Sequence, residues 1–235
     1  MELRIIAQFS QDPLWLKVFN EGGDLHSELC AATFKIPLSD VKKPFPPKPE
    51  FKYRDVQKTV DFGLAYGMSK YKLADTLQIS VEEAEEIINQ FFSVVPKVKS
   101  FLEGLRDLGK KRGYIRTGKP FSRIRWFPKW GNARETQSFS VLEEIGRASM
   151  NTPIQGSNAD VIKQAMINIQ NRIDEENWPV QIVMQVYDEL QTICREDRAE
   201  EWREVLEFEM KKAAQIIITS IPVEVDCKIS DYWEK

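Results

Sequence analysis

Arg54, Lys58, Phe62 and Tyr66 are spaced by four residues and could form one working surface. On an α-helix each fourth residue lies about 6 Å further along the axis and about 40° further round, so the four make a slanting stripe about 18 Å long. Two cations followed by two aromatics suit a ligand with phosphates at one end and a flat ring at the other. The plainer alternative is that Phe62 and Tyr66 pack into a core while the cations are solvated, because aromatics at helical spacing commonly pack. Arg147, Asn151 and Gln155 repeat the spacing and could aim donors at one target or simply line a wet helix face. Asp188-Glu189 sits between apolar, β-rich runs at 180–186 and 189–195. It is either a metal-binding pair at a hairpin tip or a hydrated turn. His26 is the single histidine and reads as a phosphate contact or as a surface or capping residue.

These residues need elements to position them. The pattern predicts a helix from Tyr53 to Gly67. Ser80-Val81-Glu82-Glu83 is a capping box ahead of Ala84, Ile87, Ile88, Phe91 and Phe92. A further helix follows Pro96 and stops at Gly113. Tyr114 to Pro128 reads as a hairpin around Thr117-Gly118-Lys119-Pro120. Helical pattern resumes near Glu135 and, beyond Pro153, runs on to Ile173. A helix at about 199–218 and a strand at 223–229 close the chain. Residues 41–50, with four prolines, read as an extended connector. Helices followed by alternating helices and antiparallel strands predict an α+β fold.

Apolar residues make up 42% of the 235 and charged residues 29%, which excludes wholesale disorder. No apolar run approaches the roughly 18–20 residues of a membrane span, so no membrane partner is expected. Three cysteines without metal spacing and one histidine argue against a zinc site or a disulfide frame and for a reducing cytoplasm. The net charge of −3 conceals segregation: residues 110–134 carry nine basic residues and no acid. Such a face suits a polyanion, or is a solvated helix end and hairpin.

The string Arg54-Asp-Val-Gln-Lys58-Thr-Val-Asp-Phe62-Gly63-Leu-Ala-Tyr66-Gly67 resembles the nucleotide-binding motif on the fingers of family A DNA polymerases. Glu2-Leu3-Arg4 is similar to the tail of that family's first palm motif, Asp-x-x-x-x-Glu-Leu-Arg. Asp24-Leu25-His26-Ser27 is similar to its Asp-x-His segment, Thr117 to Pro128 to its basic hairpin, and Arg147, Asn151, Pro153 and Gln155-Gly156 to its long palm helix. Val186-Tyr187-Asp188-Glu189 resembles its metal-binding hairpin, where histidine usually stands at the place of Tyr187.

The resemblance implies a DNA-directed DNA polymerase component, with palm at 1–20, fingers at 21–134 and palm with the metal hairpin at 135–235. It implies Asp188 as a Mg²⁺ ligand, Glu189 as a supporting carboxylate, and two ions in the completed site. Arg54, Lys58 and His26 would meet the triphosphate of a deoxynucleotide. Phe62 would lie by the sugar, Tyr66 near the templating base, and Glu2 beneath the sugar as a gate bonded to Tyr66, on an N-terminus docked as a palm strand. Arg147, Asn151 and Gln155 would read the minor groove of primer-template DNA. Tyr187 would hold the primer end, and Arg123 and Arg125 would meet DNA phosphates. The family's first palm aspartate would lie five residues before Glu2, and one aspartate cannot bridge two Mg²⁺ ions. The expectation is therefore a split enzyme, inactive as an isolated chain, in a bacterial or phage-infected cytoplasm. A second polypeptide would carry the thumb and that aspartate. Two other readings remain: a polymerase remnant that binds DNA or a partner without chemistry, and a fragment of a single-subunit RNA polymerase.

Overall fold

The computed structural model describes residues 1–233. In chain order the elements are α1 (Glu2–Ser10), α2 (Pro13–Asn20), α3 (Leu25–Phe34), β1 (Pro44–Phe45), β2 (Lys48–Lys52), α4 (Tyr53–Ala65), α5 (Lys70–Leu77), α6 (Val81–Val94) and α7 (Pro96–Arg112). They continue as β3 (Tyr114–Arg116), β4 (Ile124–Trp126), α8 (Trp130–Glu135), α9 (Phe139–Glu176), β5 (Val180–Val186), β6 (Glu189–Cys194) and α10 (Ala199–Gln215). Among the described residues the strands pair as three antiparallel two-stranded sheets, β1–β2, β3–β4 and β5–β6, so the fold is α+β. No helix among the described residues is long and apolar enough to cross a membrane.

The apolar positions build two cores. The larger joins α1 to α7 with the middle of α9 and Ile217–Val223. The smaller packs Ile162, Ala165, Ile169 and Ile173 of α9 against Val180, Leu190, Trp202 and Leu206. The predicted local signals operate as expected: Ser80 and Glu83 exchange both capping-box bonds, and Gly113 ends α7 in the left-handed region at φ 75°.

Pro153 lies inside α9, where it cannot donate to the carbonyl of Ser149. The neighbouring turn is stitched by hydroxyls: Ser149 Oγ donates to Ile145 O and Thr152 Oγ1 to Ala148 O, both at 2.7 Å. This stretch is also a crossing point. A Cβ at Gly156 would lie 2.4 Å from Thr117 Cγ2, so glycine lets the β3–β4 loop seat on α9.

Three local expectations are corrected. Residues 41–50 are not a simple extended connector: β1 and β2 fold back as a hairpin. Phe45 is drawn into the core beside Phe34 and Tyr53, with ring centroids 5.7 and 5.3 Å away, and prolines in a two-stranded edge forgo only donors that face solvent. Residues 223–229 form no strand. Their approach is bound to α1 instead: Gln8 Oε1 accepts from the Thr219 and Ser220 amides, and Arg4 donates to Pro222 O and pairs with Glu224 at 2.7 Å. The N-terminus is likewise helix α1, not a strand docked on the β5–β6 hairpin, although it does begin beside that hairpin's tip.

Candidate active site

The start of α1, the loop before α3, one face of α9 and the tip of β5–β6 enclose a cleft of about 990 Å³. Glu2, His26, Phe62, Gln155, Tyr187 and Asp188 all line it. A two-residue connection between Val186 and Glu189 makes Asp188 protrude. Its carboxylate is half exposed, and the Met1 amino nitrogen lies 3.5 Å from its Oδ2. Tyr187 is 87% exposed and takes a left-handed φ of 54°, a conformation that disfavours side chains with Cβ. Strand alternation turns Glu189 the other way: it lines no part of the cleft and accepts from Gln191 and Trp233.

On the far wall, α3 and α4 are joined by two polar chains. Arg54 grips Asp24 in a bidentate pair, Nε to Oδ2 at 2.8 Å and Nη2 to Oδ1 at 3.1 Å, and also donates to Ser27 Oγ. That guanidinium, with the Ser27 hydroxyl, holds the Asp24 carboxyl down at about 2. His26 Nδ1 stands 2.6 Å from Asp61 Oδ2, and Gln57 Nε2 donates to Asp61 Oδ1 at 2.6 Å. The Phe62 ring lies 5.6 Å from the imidazole, centroid to centroid. Burial pushes the Asp61 carboxyl up against the pull of these two bonds. Asp61 and Gln57 were not singled out by sequence reasoning. Both fall inside the quoted α4 string, and their spacing of four, in register with neither the cations nor the aromatics, was the available signal.

The Asp24–Arg54 pair has a pH signature. A carboxyl lowered from its ordinary value of 3.8 to about 2 contributes stability that is complete above about pH 4 and is lost as pH falls through 2. Melting curves between pH 5 and 2 should therefore fall more steeply for the native chain than for Asp24→Asn. Parallel curves would mean that the pair contributes nothing.

Most of the α4 stripe faces a space other than the main cleft, and Arg54 lines neither. Lys58, Tyr66 and Phe62 line a second cavity of about 790 Å³ with Gly67 and Arg147, and only Phe62 faces both cavities. A Cβ on Gly67 would lie 3.1 Å from Arg147 Cγ, so Arg147 folds over the end of α4. The Arg147–Asn151–Gln155 row thus runs from the second cavity to the main cleft, and Asn151 lies between them with a buried Oδ1 that has no hydrogen-bond partner. Glu2 makes no hydrogen bond to Tyr66 among the described residues, because the two line different cavities. Burial raises the Glu2 carboxyl; the Met1 amino group lowers it and Asp188 raises it further.

The basic stretch is partly occupied within the fold. Arg123 Nε pairs with the buried Asp160 at 2.6 Å and Nη2 donates to Gly156 O; Arg125 Nη1 donates to Thr152 Oγ1 at 2.9 Å. Lys110 and Arg106 share Glu143. These groups clamp β3–β4 and α7 onto α9. Lys111, Arg112, Arg116, Lys119, Lys129 and Arg134 remain exposed and enter no ion pair among the described residues. Arg125 is exposed and outside any ion pair as well, so of the two only Arg123 has its charge matched within the fold, by Asp160.

No group of three or more histidine, cysteine or acidic side chains gathers as a metal cage among the described residues. Asp188, half exposed at the hairpin tip, nevertheless offers hard oxygen donors of the kind that hold Mg²⁺ jointly with substrate phosphates.

The α+β fold that carries this cleft is similar to that of a polymerase domain. The chain belongs to DNA polymerase family A, whose family model matches residues 1–235. It is 35% identical over 233 residues to the thermostable DNA polymerase I of Thermus thermophilus, covering 99% of this chain and 26% of that protein. It is 32% identical over 233 residues to DNA polymerase I of Geobacillus stearothermophilus, covering 99% and 25%. The chain therefore spans about a quarter of the length of these relatives. Among solved structures it resembles the POL domain of Pol1 from M. smegmatis, in complex with DNA primer-template and dNTP. The TM-score is 0.82 at 35% identity, over 95% of this chain and 36% of that one.

Proposed function

We propose that this chain is the fingers and much of the palm of a DNA-directed DNA polymerase that adds deoxynucleotides to a primer 3′ end. The observation that carries the proposal is the convergence of Glu2, His26, Phe62, Gln155 and Asp188 on one cleft, from segments up to 186 residues apart in sequence. In this reading residues 1–20 and 135–235 are palm, and residues 21–134 are fingers. Mg²⁺ bound at Asp188 would lower the charge barrier between the primer hydroxyl and the α-phosphate. Arg54, once released from Asp24, and Lys58 neutralise the triphosphate as pyrophosphate leaves, and His26 donates to the same anion. Phe62 borders the sugar and Tyr66 the templating side. Glu2 excludes a 2′-hydroxyl by shape and by the cost of leaving a half-buried carboxylate poorly solvated. Gln155, Asn151 and Arg147 meet the minor groove, where purine N3 and pyrimidine O2 are acceptors in every correct pair. Tyr187 meets the primer terminus, and Glu189 adds charge behind Asp188.

A two-ion site needs another carboxylate beyond Asp188. Fluorescence anisotropy with a labelled primer-template tests the reading. Binding should weaken steeply between 50 and 200 mM salt, as phosphate contacts require, and added deoxynucleotide should tighten it more than ribonucleotide does. Absence of primer-template binding at low salt would sink the proposal. A preference for ribonucleotides would move it to RNA synthesis.

A further inference from the structure

The His26–Asp61–Gln57 chain is a buried polar construction that the proposed chemistry does not itself require. Asp61 is 1% exposed and Gln57 is fully buried. A buried carboxylate is costly unless it is paired and hydrogen-bonded, and here both oxygens have a partner at 2.6 Å. Both partners serve one outcome. Gln57, four residues earlier on α4, fixes the carboxylate, and the carboxylate in turn takes Nδ1 of His26 across the α3–α4 contact. The Phe62 ring limits rotation of the imidazole. With Nδ1 engaged, Nε2 is the ring nitrogen left for a ligand of the cleft that His26 lines.

Resting on the polymerase reading above, we infer that Asp61 is a positioning residue that holds the Nδ1 proton of His26 and readies Nε2 to donate to the triphosphate of an incoming nucleotide. Donation from Nε2 while Nδ1 keeps its proton makes the ring an imidazolium. The Asp61 carboxylate supplies the opposite charge behind it, out of reach of water. A carboxylate behind an imidazole sets tautomer and orientation in this way wherever the pair is buried. Asp24 flanks the same contact but is paired with Arg54, and the group within hydrogen-bond reach of Nδ1 is Asp61.

Because His26 is the only histidine, ¹⁵N-histidine NMR of the full chain reports on it alone. The native chain should show the Nδ1–H form, and deoxynucleoside triphosphate should bring Nε2 into the protonated range. Asp61→Ala should revert the ring to the Nε2–H form that imidazole prefers in water. Asp61→Asn, which keeps the volume should the alanine variant fail to fold, should weaken nucleotide binding about tenfold, the loss of one charge-assisted bond. In the His26→Ala background the same substitution should have almost no further effect, whereas a merely structural Asp61 would cost the same in both backgrounds. An Nε2–H form in the native chain, or equal losses in the two backgrounds, overturns the inference while leaving the polymerase reading standing. If nucleotide does not bind the native chain, that reading fails, and the tautomer of the free chain still decides the role of Asp61.

Discussion

Asp188→Asn is expected to abolish primer extension while leaving DNA binding nearly unchanged. The substitution preserves the shape of the hairpin tip, since Asp188 follows the left-handed Tyr187 and is not itself the strained residue. What it removes is the charge of the one cleft carboxylate raised on the tip. Stabilisation by a bound divalent cation is worth several kcal/mol at a transferring phosphoryl group, and about 4 kcal/mol corresponds to roughly 10³-fold in rate. In the proposed reading, binding of primer-template would rest elsewhere, on exposed cations such as Arg112 and Lys129, and its salt dependence should not alter. The measurement is single-turnover extension in extension-competent protein, paired with anisotropy at two salt concentrations. Extension within a few-fold of native would exclude Asp188 as a metal ligand. An equally large loss of binding would mean that Asp188 itself holds the DNA and that its loss does not report on the chemical step alone.

Glu2→Ala is expected to relax exclusion of ribonucleotides by roughly 10–200-fold in the ratio of kcat/KM values, the range for one pocket contact. Glu2 lines the main cleft with Asp188 and Phe62, and it is half-buried, with burial acting as the main influence on its carboxyl. A 2′-hydroxyl placed against it would displace water that the carboxylate needs, and alanine removes that penalty. The absence of a Glu2–Tyr66 bond sharpens the expectation. Tyr66→Phe, which deletes only the phenol hydroxyl, should leave sugar selection unchanged in this geometry. If Tyr66→Phe relaxes selection as much as Glu2→Ala does, the two side chains meet once a nucleotide is bound. A ratio unmoved by Glu2→Ala would remove Glu2 from the gate. The readout is incorporation of matched deoxy- and ribonucleotides opposite a single template base.

Much of the helical frame was legible because its signals are local. The Ser80–Glu83 box, Pro96 at a helix start, Gly113 at a helix end and the alternation around Tyr187-Asp188 act within a few residues of backbone and require no distant partner. The family motifs were legible for the same reason, since spacing along α4 and α9 is preserved in any fold that keeps those helices.

What sequence alone could not decide were the contacts made across the fold. Arg123 carries the same charge as Arg112, and both are exposed, yet tertiary packing sets the buried Asp160 before the first and gives the second no ion pair among the described residues. The α4 stripe is one row on a helix, but in the fold Lys58, Phe62 and Tyr66 line one cavity, Phe62 alone of the four reaches the main cleft, and Arg54 lines neither. Residues 223–229 have the composition of a strand. They form none: the backbone just before them is held by Gln8 and Arg4 of α1, and the β5–β6 hairpin stays two-stranded. Asp61 looked like one more acid in a helix until folding placed it, without water, between Gln57 and His26. Sequence by itself thus determined which groups lie on which helix and at what spacing, because short-range backbone geometry sets that. Tertiary structure decided which charges are spent inside the fold and which remain for a ligand, because pairing and desolvation depend on neighbours that meet only when the chain has folded.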